Sequence, residues 1–349
     1  MKTIIKKIDR ACIDREILSE AGEILRRGGL VAFPTETVYG LGADALQEEA
    51  SAKIYAAKGR PSDNPLIVHI AKYEDLKKIT KEIPEAAKRL ADAFWPGPLT
   101  MVFNKSEAVP LGTTGGLSTV AVRMPSDPVA LALIEAGGGY VAAPSANTSG
   151  RPSPTLAQHV IEDLDGKIDM VIDGGAVNIG LESTIVDMSA EPPTILRPGY
   201  INREMIEKVI GPVEIDQALI APDSGLKPKA PGMKYKHYAP KAELVIVEGP
   251  VDQVVEMINR LAEEKQNTGM KVGIIGTEET VAEYRAGIVK SIGSREEEAS
   301  IAKHLYRILR EFDDSDVDFI YTEAFQTPQM GQAIMNRLLK AAGHQIIRI

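Results

Sequence analysis

The sequence predicts an α/β protein with two domains. The chain has 349 residues, and a single domain usually holds about 100 to 200 residues. Hydrophobic residues make up 44% and charged residues 26% of the sequence, as is typical of globular proteins. Short apolar runs alternate with amphipathic stretches along most of the chain. This alternation predicts a mostly parallel sheet covered by helices on both faces.

The first part of the chain contains three helical patterns and several buried strands. The pattern over 17–27 ends at the helix-breaking pair Gly28-Gly29, and the apolar run over 30–33 then predicts a buried strand. A second helix over 83–94 stops at Trp95-Pro-Gly-Pro. The other expected elements are a helix over 50–57 and strands over 66–70, 99–103, 119–123, 140–143, 170–172, 184–187 and 194–196.

The second part of the chain alternates more regularly between strand and helix. Strands are expected over 243–247, 271–275 and 318–321, and helices over 251–264, 299–311 and 329–342. We therefore place one domain over residues 1–211 and a second over 242–349.

The segment 212–241 differs in composition from both domains. It carries five lysines against three acidic residues and is rich in proline and glycine, which disfavours a regular helix. A solvated tether between domains is one interpretation. However, the run GMKYKHYAP brings together two tyrosines, two lysines and a histidine, which suit a lid that closes over an anionic ligand. Both interpretations stay open at this point.

Composition and charge disfavour several classes of protein. The net charge of −9 is unfavourable for a general nucleic-acid coat, although a local cationic pocket remains compatible with it. Cys12 is the only cysteine, so neither a disulfide framework nor a multi-cysteine metal site is expected. The sequence has no apolar run of membrane-spanning length and its start lacks the apolar core of a signal peptide. We expect a cytoplasmic protein.

Common catalytic motifs are also missing from the sequence. There is no P-loop, no G-x-S-x-G nucleophile elbow, and no pair of histidines at metal-binding spacing, so no resident metal is expected. The stretch from Gly40 to Ala45 matches a relaxed dinucleotide fingerprint. It lacks the acidic residue expected about 20 residues further on, which disfavours nicotinamide binding.

Polar residues lie at the ends of apolar strands at five places, where open α/β sheets bind their ligands. These places are PTETVYG at 34–40, KGRPSDNPL at 58–66, STVAVR at 118–123, APSANTSGRPS at 143–153, and EST at 182–184 together with Arg197. Arginine suits bidentate phosphate recognition, and hydroxyl and backbone N–H groups supply further donors. Together they predict a pocket for a polyanionic small molecule such as a nucleoside triphosphate.

Each of these places also has a simpler interpretation. Lys58 and Arg60 could be surface cations, and Arg123 could pair with an acidic residue. The run from Ser145 to Asn147 could form a turn followed by a helix cap. Ser183 and the next residue could merely begin a strand.

At these residues the sequence resembles the YrdC-like threonylcarbamoyl-AMP synthase family. KGRPSDNPL with PSANTSG matches the K-x-R…S-x-N signature, and PTETVYGLG, TVAVRMP, ESTIVD and LRPG occur in the same order. APGMKYKHYAP followed by an α/β domain resembles the long, two-domain form. The resemblance implies an open twisted α/β sheet with a large cavity, plus a smaller Rossmann-like parallel α/β domain.

The resemblance also implies a nucleotidyltransferase reaction. L-threonine, bicarbonate or CO2, and ATP would give threonylcarbamoyl-AMP and pyrophosphate, with Mg²⁺ carried by the ATP phosphates. Partner enzymes would then transfer the threonylcarbamoyl group to tRNA. Neither a membrane nor a stable nucleic-acid complex would be required.

Residue roles follow from the same resemblance. The implied catalytic residues are Lys58 and Arg60, with Lys58 meeting the triphosphate or the carbamate. ATP would be held by Arg60, Asn64, Thr119, Ser145, Asn147, Ser153, Arg197 and, from the lid, Tyr235. L-threonine would be held by Thr35, His69, Arg123, the Ala143 backbone and Ser183.

Two other functions remain open. A YrdC-like domain could bind duplex RNA through a basic concave face, but the net charge and the scarcity of clustered aromatic residues disfavour this. The chain could instead transfer a carbamoyl group from carbamoyl phosphate, as similar domains do in hydrogenase-maturation proteins. Those proteins add cysteine-rich zinc fingers, which a chain with one cysteine cannot form.

Overall fold

The computed structural model describes residues 2–216, 238–326 and 328–349, which form two compact units. Among these residues, the first unit comprises 2–149, 154–178 and 182–216, and the second comprises 150–153, 179–181 and the remainder from 238 onward. Most of the segment 212–241, including Tyr235, lies outside the described residues.

The first unit is built on one large sheet. Its strands are β1 (Ile4–Lys7), β2 (Val31–Phe33), β3 (Gly40–Asp44), β4 (Ile67–His69), β5 (Leu99–Asn104), β6 (Thr119–Arg123), β7 (Val141–Ala142), β8 (Met170–Asp173), β9 (Thr184–Asp187), β10 (Thr194–Arg197) and β11 (Glu214–Ile215). Its helices are α1 (Arg15–Arg26), α2 (Glu48–Lys58), α3 (Leu76–Ile79), α4 (Glu85–Phe94), α5 (Leu111–Thr114), α6 (Pro128–Ala136), α7 (Ala157–Leu164) and α8 (Arg203–Ile210). The strand order is β1-β8-β2-β3-β7-β4-β6-β5-β9-β10-β11.

This sheet is mixed, so the prediction of a mostly parallel sheet is wrong for the first unit. Five neighbouring pairs are parallel and five are antiparallel. Antiparallel strands can be joined by a short loop without a crossover helix. The six residues 34–39 make such a connection between β2 and β3. Alternation of strands and helices in the sequence does not reveal such connections.

Helices cover both faces of the sheet, as the sequence predicts. On β2, Val31 and Phe33 pack in a cluster with residues of α1 and α6, such as Leu25 and Leu133. Ala32, between them, faces the cluster that contains residues of α2, α4 and α7. Because successive strand residues point to opposite faces, a strand buried on both sides reads as an unbroken apolar run.

The glycines of the apparent dinucleotide fingerprint have a structural role. Gly40 and Gly42 lie in β3, paired with β2, and not in a turn that leads into a helix. A Cβ atom on Gly42 would come within 2.8 Å of Val141 and 2.9 Å of Phe33. The close approach of the neighbouring strands therefore requires glycine at position 42.

The second unit contains a sheet that is parallel throughout. Its strands are β12 (Glu243–Glu248), β13 (Val272–Gly276), β14 (Ile288–Ser291), β15 (Phe319–Glu323) and β16 (Ile346–Arg348), in the order β14-β13-β15-β12-β16. Its helices are α9 (Val251–Asn267), α10 (Glu298–Asp314) and α11 (Gly331–Ala341).

Every predicted helix and strand is present, with ends shifted by three residues or fewer. The strands β1, β3, β11, β14 and β16 and the helices α3, α5, α6, α7 and α8 were not predicted. Within residues 2–216, 238–326 and 328–349, no helix combines the length and apolar character needed to cross a membrane.

Candidate active site

Lys58 is buried at the C-terminal end of α2 and ties that helix to the Ser145–Asn147 turn. Gly59 adopts a left-handed conformation (φ 62°), which ends the helix directly after Lys58. The Lys58 ammonium donates to the Ser145 carbonyl at 2.5 Å and also to the Asn147 carbonyl. Only 2% of Lys58 is exposed, so the surface-cation interpretation is wrong for this residue.

The side chains of the Ser145–Asn147 turn bond to one another. The Ser145 hydroxyl donates to Asn147 Oδ1 at 2.6 Å, and Asn147 Nδ2 donates to the Thr148 carbonyl at 2.8 Å. The backbone bends at residues 146 and 147, which agrees with the turn interpretation. The helix-cap interpretation is wrong, because the next helix begins at Ala157. The turn and Lys58 together form one polar group in the first unit.

Arg60 and Asn64 shape the loop that follows α2. Half-buried Arg60 donates from Nε to the Asn64 carbonyl at 3.3 Å and from Nη2 to the Pro65 carbonyl at 3.1 Å. The Asn64 side chain is buried, and its Oδ1 atom has no hydrogen-bond partner among the described residues. A buried acceptor without a donor is costly, so this atom is suited to receive a hydrogen bond from a ligand.

Arg123 lies at the end of β6 and pairs with an acidic residue, as one of the sequence interpretations held. Its Nη2 atom is 2.8 Å from Glu36 Oε1, and its Nη1 donates to Thr37 Oγ1 at 2.9 Å. Arg123 and Glu36 are both more than nine-tenths buried. Glu36 and Thr37 were not predicted as site residues. The signal for them was three consecutive polar residues that begin one residue after a buried strand.

Thr35 and His69 adjoin the Arg123–Glu36 pair. Thr35 Oγ1 is 2.9 Å from Thr37 Oγ1 and donates to the Val38 carbonyl at 2.6 Å, so it fixes the loop between β2 and β3. His69 on β4 is the register neighbour of Arg123 on β6. Burial lowers the pKa of His69 to about 3, with the nearby Arg123 charge as the second cause. His69 is therefore neutral at physiological pH.

A row of buried polar residues extends from Arg123 to Arg197, first through strand register and then through hydroxyl contacts. Thr100 on β5 is the register neighbour of Arg123, and its Oγ1 is 2.7 Å from Ser183 Oγ. Arg197 donates to Ser183 Oγ at 3.2 Å and to the Ser183 carbonyl at 3.0 Å. Four sequence-predicted residues for threonine (Thr35, His69, Arg123 and Ser183) thus belong to one buried network. Thr100 is a member that the sequence did not reveal.

The structure does not join every predicted residue to this network. Thr119 begins β6 and Arg123 ends it, about 13 Å apart at the usual rise of a strand. The Ala143 amide donates to the Ile67 carbonyl at 2.8 Å. Ser153 is fully buried in the short segment 150–153 of the second unit. Tyr235 lies outside the described residues.

Neutral His69 is expected to make the first unit less stable in acid. Its folded pKa of about 3 lies below the usual value of 6.5, so the unfolded chain binds the proton more tightly. The stabilisation is complete above pH 6.5 and is lost as pH falls, by about 2 kcal/mol between pH 6 and 4.5. His69→Gln should lessen this pH dependence. The only tryptophan, Trp95, lies in the first unit and reports its unfolding in urea.

His344→Gln is the matched control, because His344 is exposed. Because His344 lies in the second unit, its substitution should leave unchanged the unfolding of the first unit that Trp95 reports. If His69→Gln retained the wild-type slope between pH 6 and 4.5, the neutral, buried state of His69 would be contradicted.

Comparison with known proteins identifies relatives of both units. Residues 23–199 match the family model Sua5_yciO_yrdC, described as telomere recombination. Residues 201–343 match Sua5_C, described as the C-terminal domain of threonylcarbamoyl-AMP synthase. The threonylcarbamoyl-AMP synthase of Pyrococcus abyssi is 51% identical over 347 residues, covering 99% of this chain and 100% of that protein. The Bacillus subtilis enzyme of the same name is 52% identical over 332 residues, covering 95% and 94%.

Solved structures agree with these sequence matches. The crystal structure of P. abyssi Sua5 complexed with L-threonine has a TM-score of 0.94 and 50% identity, and the alignment covers 99% of this chain and 100% of that one. A crystal structure of E. coli YciO covers 57% of this chain at 23% identity, with a TM-score of 0.51, which supports the fold alone. The chain therefore belongs to the two-domain form of the YrdC-like threonylcarbamoyl-AMP synthase family.

Proposed function

We propose that this chain is an L-threonylcarbamoyladenylate synthase. It converts L-threonine, bicarbonate or CO2, and ATP into threonylcarbamoyl-AMP and pyrophosphate. The observation that carries the proposal is the buried network of Thr35, His69, Arg123 and Ser183, in a chain related over nearly its whole length to named synthases. That network offers a cation, a neutral imidazole and hydroxyl groups within one unit, as an amino acid with a hydroxyl side chain requires.

The threonine end of the site positions the nucleophile. Arg123 binds the carboxylate through charge-assisted hydrogen bonds, and Thr35 and Ser183 bind the side-chain hydroxyl. The Ala143 backbone contributes its carbonyl, because its amide is already bonded within the sheet. Neutral His69 adds no charge that would repel an ammonium. The neutral threonine amine attacks the carbon of CO2. A C–N bond forms, the electrons of one C=O π bond move to oxygen, and the nitrogen loses a proton to water, which gives the carbamate.

The ATP end of the site completes the reaction. A carbamate oxygen attacks the α-phosphorus in line, the bond to the β-phosphate oxygen breaks, and pyrophosphate leaves. Lys58 and Arg60 stabilise the charge that develops on the phosphates, and positioning supplies much of the acceleration. The remaining ATP contacts are assigned to Asn64, Thr119, Ser145, Asn147, Ser153, Arg197 and Tyr235. The unpartnered Asn64 Oδ1 supports a contact with a donor such as the adenine amino group.

Mg²⁺ is assigned to the ATP phosphates. Among the described residues, no three side chains of the types that usually bind metals cluster together. Mg²⁺ is often held mainly by substrate phosphates and water. When bound, it neutralises phosphate charge, and Asn147 is the residue assigned to orient the phosphate or the ion.

The wider assignments belong to the same proposal. The product passes to enzymes that transfer the threonylcarbamoyl group to tRNA, and the chain works in the cytoplasm without a membrane or a stable nucleic-acid complex. Residues 1–211 form the catalytic domain, 212–241 the linker and lid, and 242–349 the Rossmann-like domain.

Mass spectrometry of the reaction product tests the proposal directly. Purified protein is incubated with ATP, Mg²⁺, bicarbonate and L-threonine, and the expected products are threonylcarbamoyl-AMP and pyrophosphate. A parallel reaction replaces bicarbonate and threonine with carbamoyl phosphate. Product only in that second reaction would favour carbamoyl transfer, and no product in either would refute the proposed synthase.

L-valine should be a very poor substrate. It has the shape of threonine but carries a methyl group in place of the hydroxyl, which would leave the Thr35 and Ser183 hydroxyls without their substrate partner. A site built to bond a hydroxyl rejects such an analogue strongly, and we expect pyrophosphate release at least about 100-fold slower. A reaction without amino acid gives the background rate. Equal rates with valine and threonine would contradict the assigned pocket.

A further inference from the structure

Glu36 has acceptor capacity that the described residues leave unused. Its carboxylate is 2.8 Å from Arg123 Nη2, but the contact lacks the alignment of a hydrogen bond. Neither oxygen of Glu36 has a hydrogen-bond partner among the residues that the structure describes, although only 6% of the residue is exposed. Buried carboxylate oxygens are costly unless donors reach them. A ligand that brings a donor to Glu36 would remove this cost.

The position of Glu36 is fixed by its neighbours. Thr35 Oγ1 accepts from the amides of Thr37 and Val38, both at 3.2 Å, which holds the loop in a tight turn. Thr37 Oγ1 in turn accepts from Arg123 Nη1. Glu36 is therefore held beside the guanidinium by residues on both sides of it. The loop therefore holds the negative charge of Glu36 in a fixed position next to the positive charge of Arg123.

The charges of this pair match a zwitterion. Arg123 alone would be a receptor for any small carboxylate. Arg123 and Glu36 together carry no net charge. A ligand with a net charge would add an unbalanced charge to this buried pair, whereas a neutral ligand would not. An α-amino acid carries its ammonium and carboxylate on one carbon, so receptors of opposite sign must also lie next to each other. His69 adds no charge, because it is neutral at physiological pH.

We propose that Glu36 is a specificity-determining residue that binds the ammonium group of the substrate amino acid while Arg123 binds its carboxylate. This inference rests on the proposed function, since it uses the same threonine pocket. It goes further by assigning a receptor for the amino group, and it explains why a buried acid lies beside the arginine that receives the carboxylate. The site then selects α-amino acids against hydroxy acids of the same shape.

Isothermal titration calorimetry with two ligands tests the role of Glu36. The ligands are L-threonine and 2,3-dihydroxybutanoate, in which a hydroxyl replaces the ammonium and the carboxylate remains. Wild-type protein should bind threonine at least about 10-fold more tightly. Glu36→Gln should weaken threonine binding by about 10- to 100-fold and change the binding of 2,3-dihydroxybutanoate by less than about 3-fold.

Asp127→Asn is the matched control. Asp127 is also buried and lies 2.8 Å from an arginine, Arg10, but its contacts serve the start of α6. This variant should leave the binding of both ligands unchanged. It accounts for the effect of neutralising a buried carboxylate in the same unit.

The possible outcomes separate this inference from the proposed function. Equal losses for both ligands in Glu36→Gln would mean that Glu36 only holds Arg123, and would overturn the inference. Unchanged threonine binding in Glu36→Gln would also overturn the inference. Equal binding of both ligands by wild-type protein would overturn it too, and this measurement does not require the variant to fold. Wild-type protein that binds no threonine at all would refute the proposed function itself.

Discussion

Lys58→Met is expected to reduce pyrophosphate release by about 100-fold or more. The substitution removes a cation assigned to the phosphates, and a charge-assisted hydrogen bond contributes about 1.5 to 3 kcal/mol. It also leaves the Ser145 and Asn147 carbonyls without their donor, so the turn that carries two further residues assigned to ATP loses its anchor. The free energy of unfolding of the first unit should fall by about 1 to 3 kcal/mol per unsatisfied carbonyl. Urea unfolding followed by Trp95 fluorescence measures that loss separately from activity.

Lys53→Met provides the matched control. Lys53 lies on the same helix and also donates to a backbone carbonyl, that of Gly28, at 2.6 Å. Because this contact is remote from the proposed site, activity should stay within about 2-fold of wild type. Lys58→Met with the wild-type rate of pyrophosphate release would show that Lys58 only supports the turn.

Removing Arg123 and Glu36 together is expected to abolish threonine binding while the fold survives. Arg123→Met alone leaves a buried carboxylate without its cation, which commonly costs about 3 to 5 kcal/mol of stability. The double variant Arg123→Met/Glu36→Met removes both charges, and such replacements are often neutral for stability. Loss of the proposed charge-assisted contact between Arg123 and the substrate carboxylate should weaken threonine binding at least about 100-fold, measured by calorimetry.

ATP binding provides the internal control for the double variant. Neither residue is assigned to the nucleotide, so the affinity for ATP should stay within about 3-fold of wild type. A folded double variant with wild-type affinity for threonine would remove Arg123 from the substrate site. Loss of both affinities would mean that the pair supports the site as a whole.

Edge strands and some helices were missed for identifiable physical reasons. Strand β1 exposes Ile4 and Ile5 by 40% and 51%, and β14 exposes Ile288 by 43%, so neither gives the unbroken apolar run of a buried strand. Helix α6 is almost entirely apolar, so it has little periodicity to detect. Its start was nonetheless signalled by Asp127, which caps the helix, and Pro128 in its first turn.

The sequence by itself determined the class of fold, the order of the main elements and the family. These properties depend on local patterns: apolar runs, helix-ending glycines, and ordered motifs such as KGRPSDNPL and PSANTSG. It also placed Thr35, Arg123 and Ser183 at the ends of strands. A sequence motif shows which residues lie next to a strand, because that is a local property of the chain.

Only the tertiary structure decided which of these residues meet. The mixed sheet brings β4, β6 and β5 side by side, so that His69, Arg123 and Thr100 become neighbours although they lie far apart in the chain. It also pairs Arg123 with Glu36 and buries Lys58 against the Ser145–Asn147 turn. Strand register, burial and the resulting neutral state of His69 arise from packing between distant segments. No local pattern of residues specifies that packing.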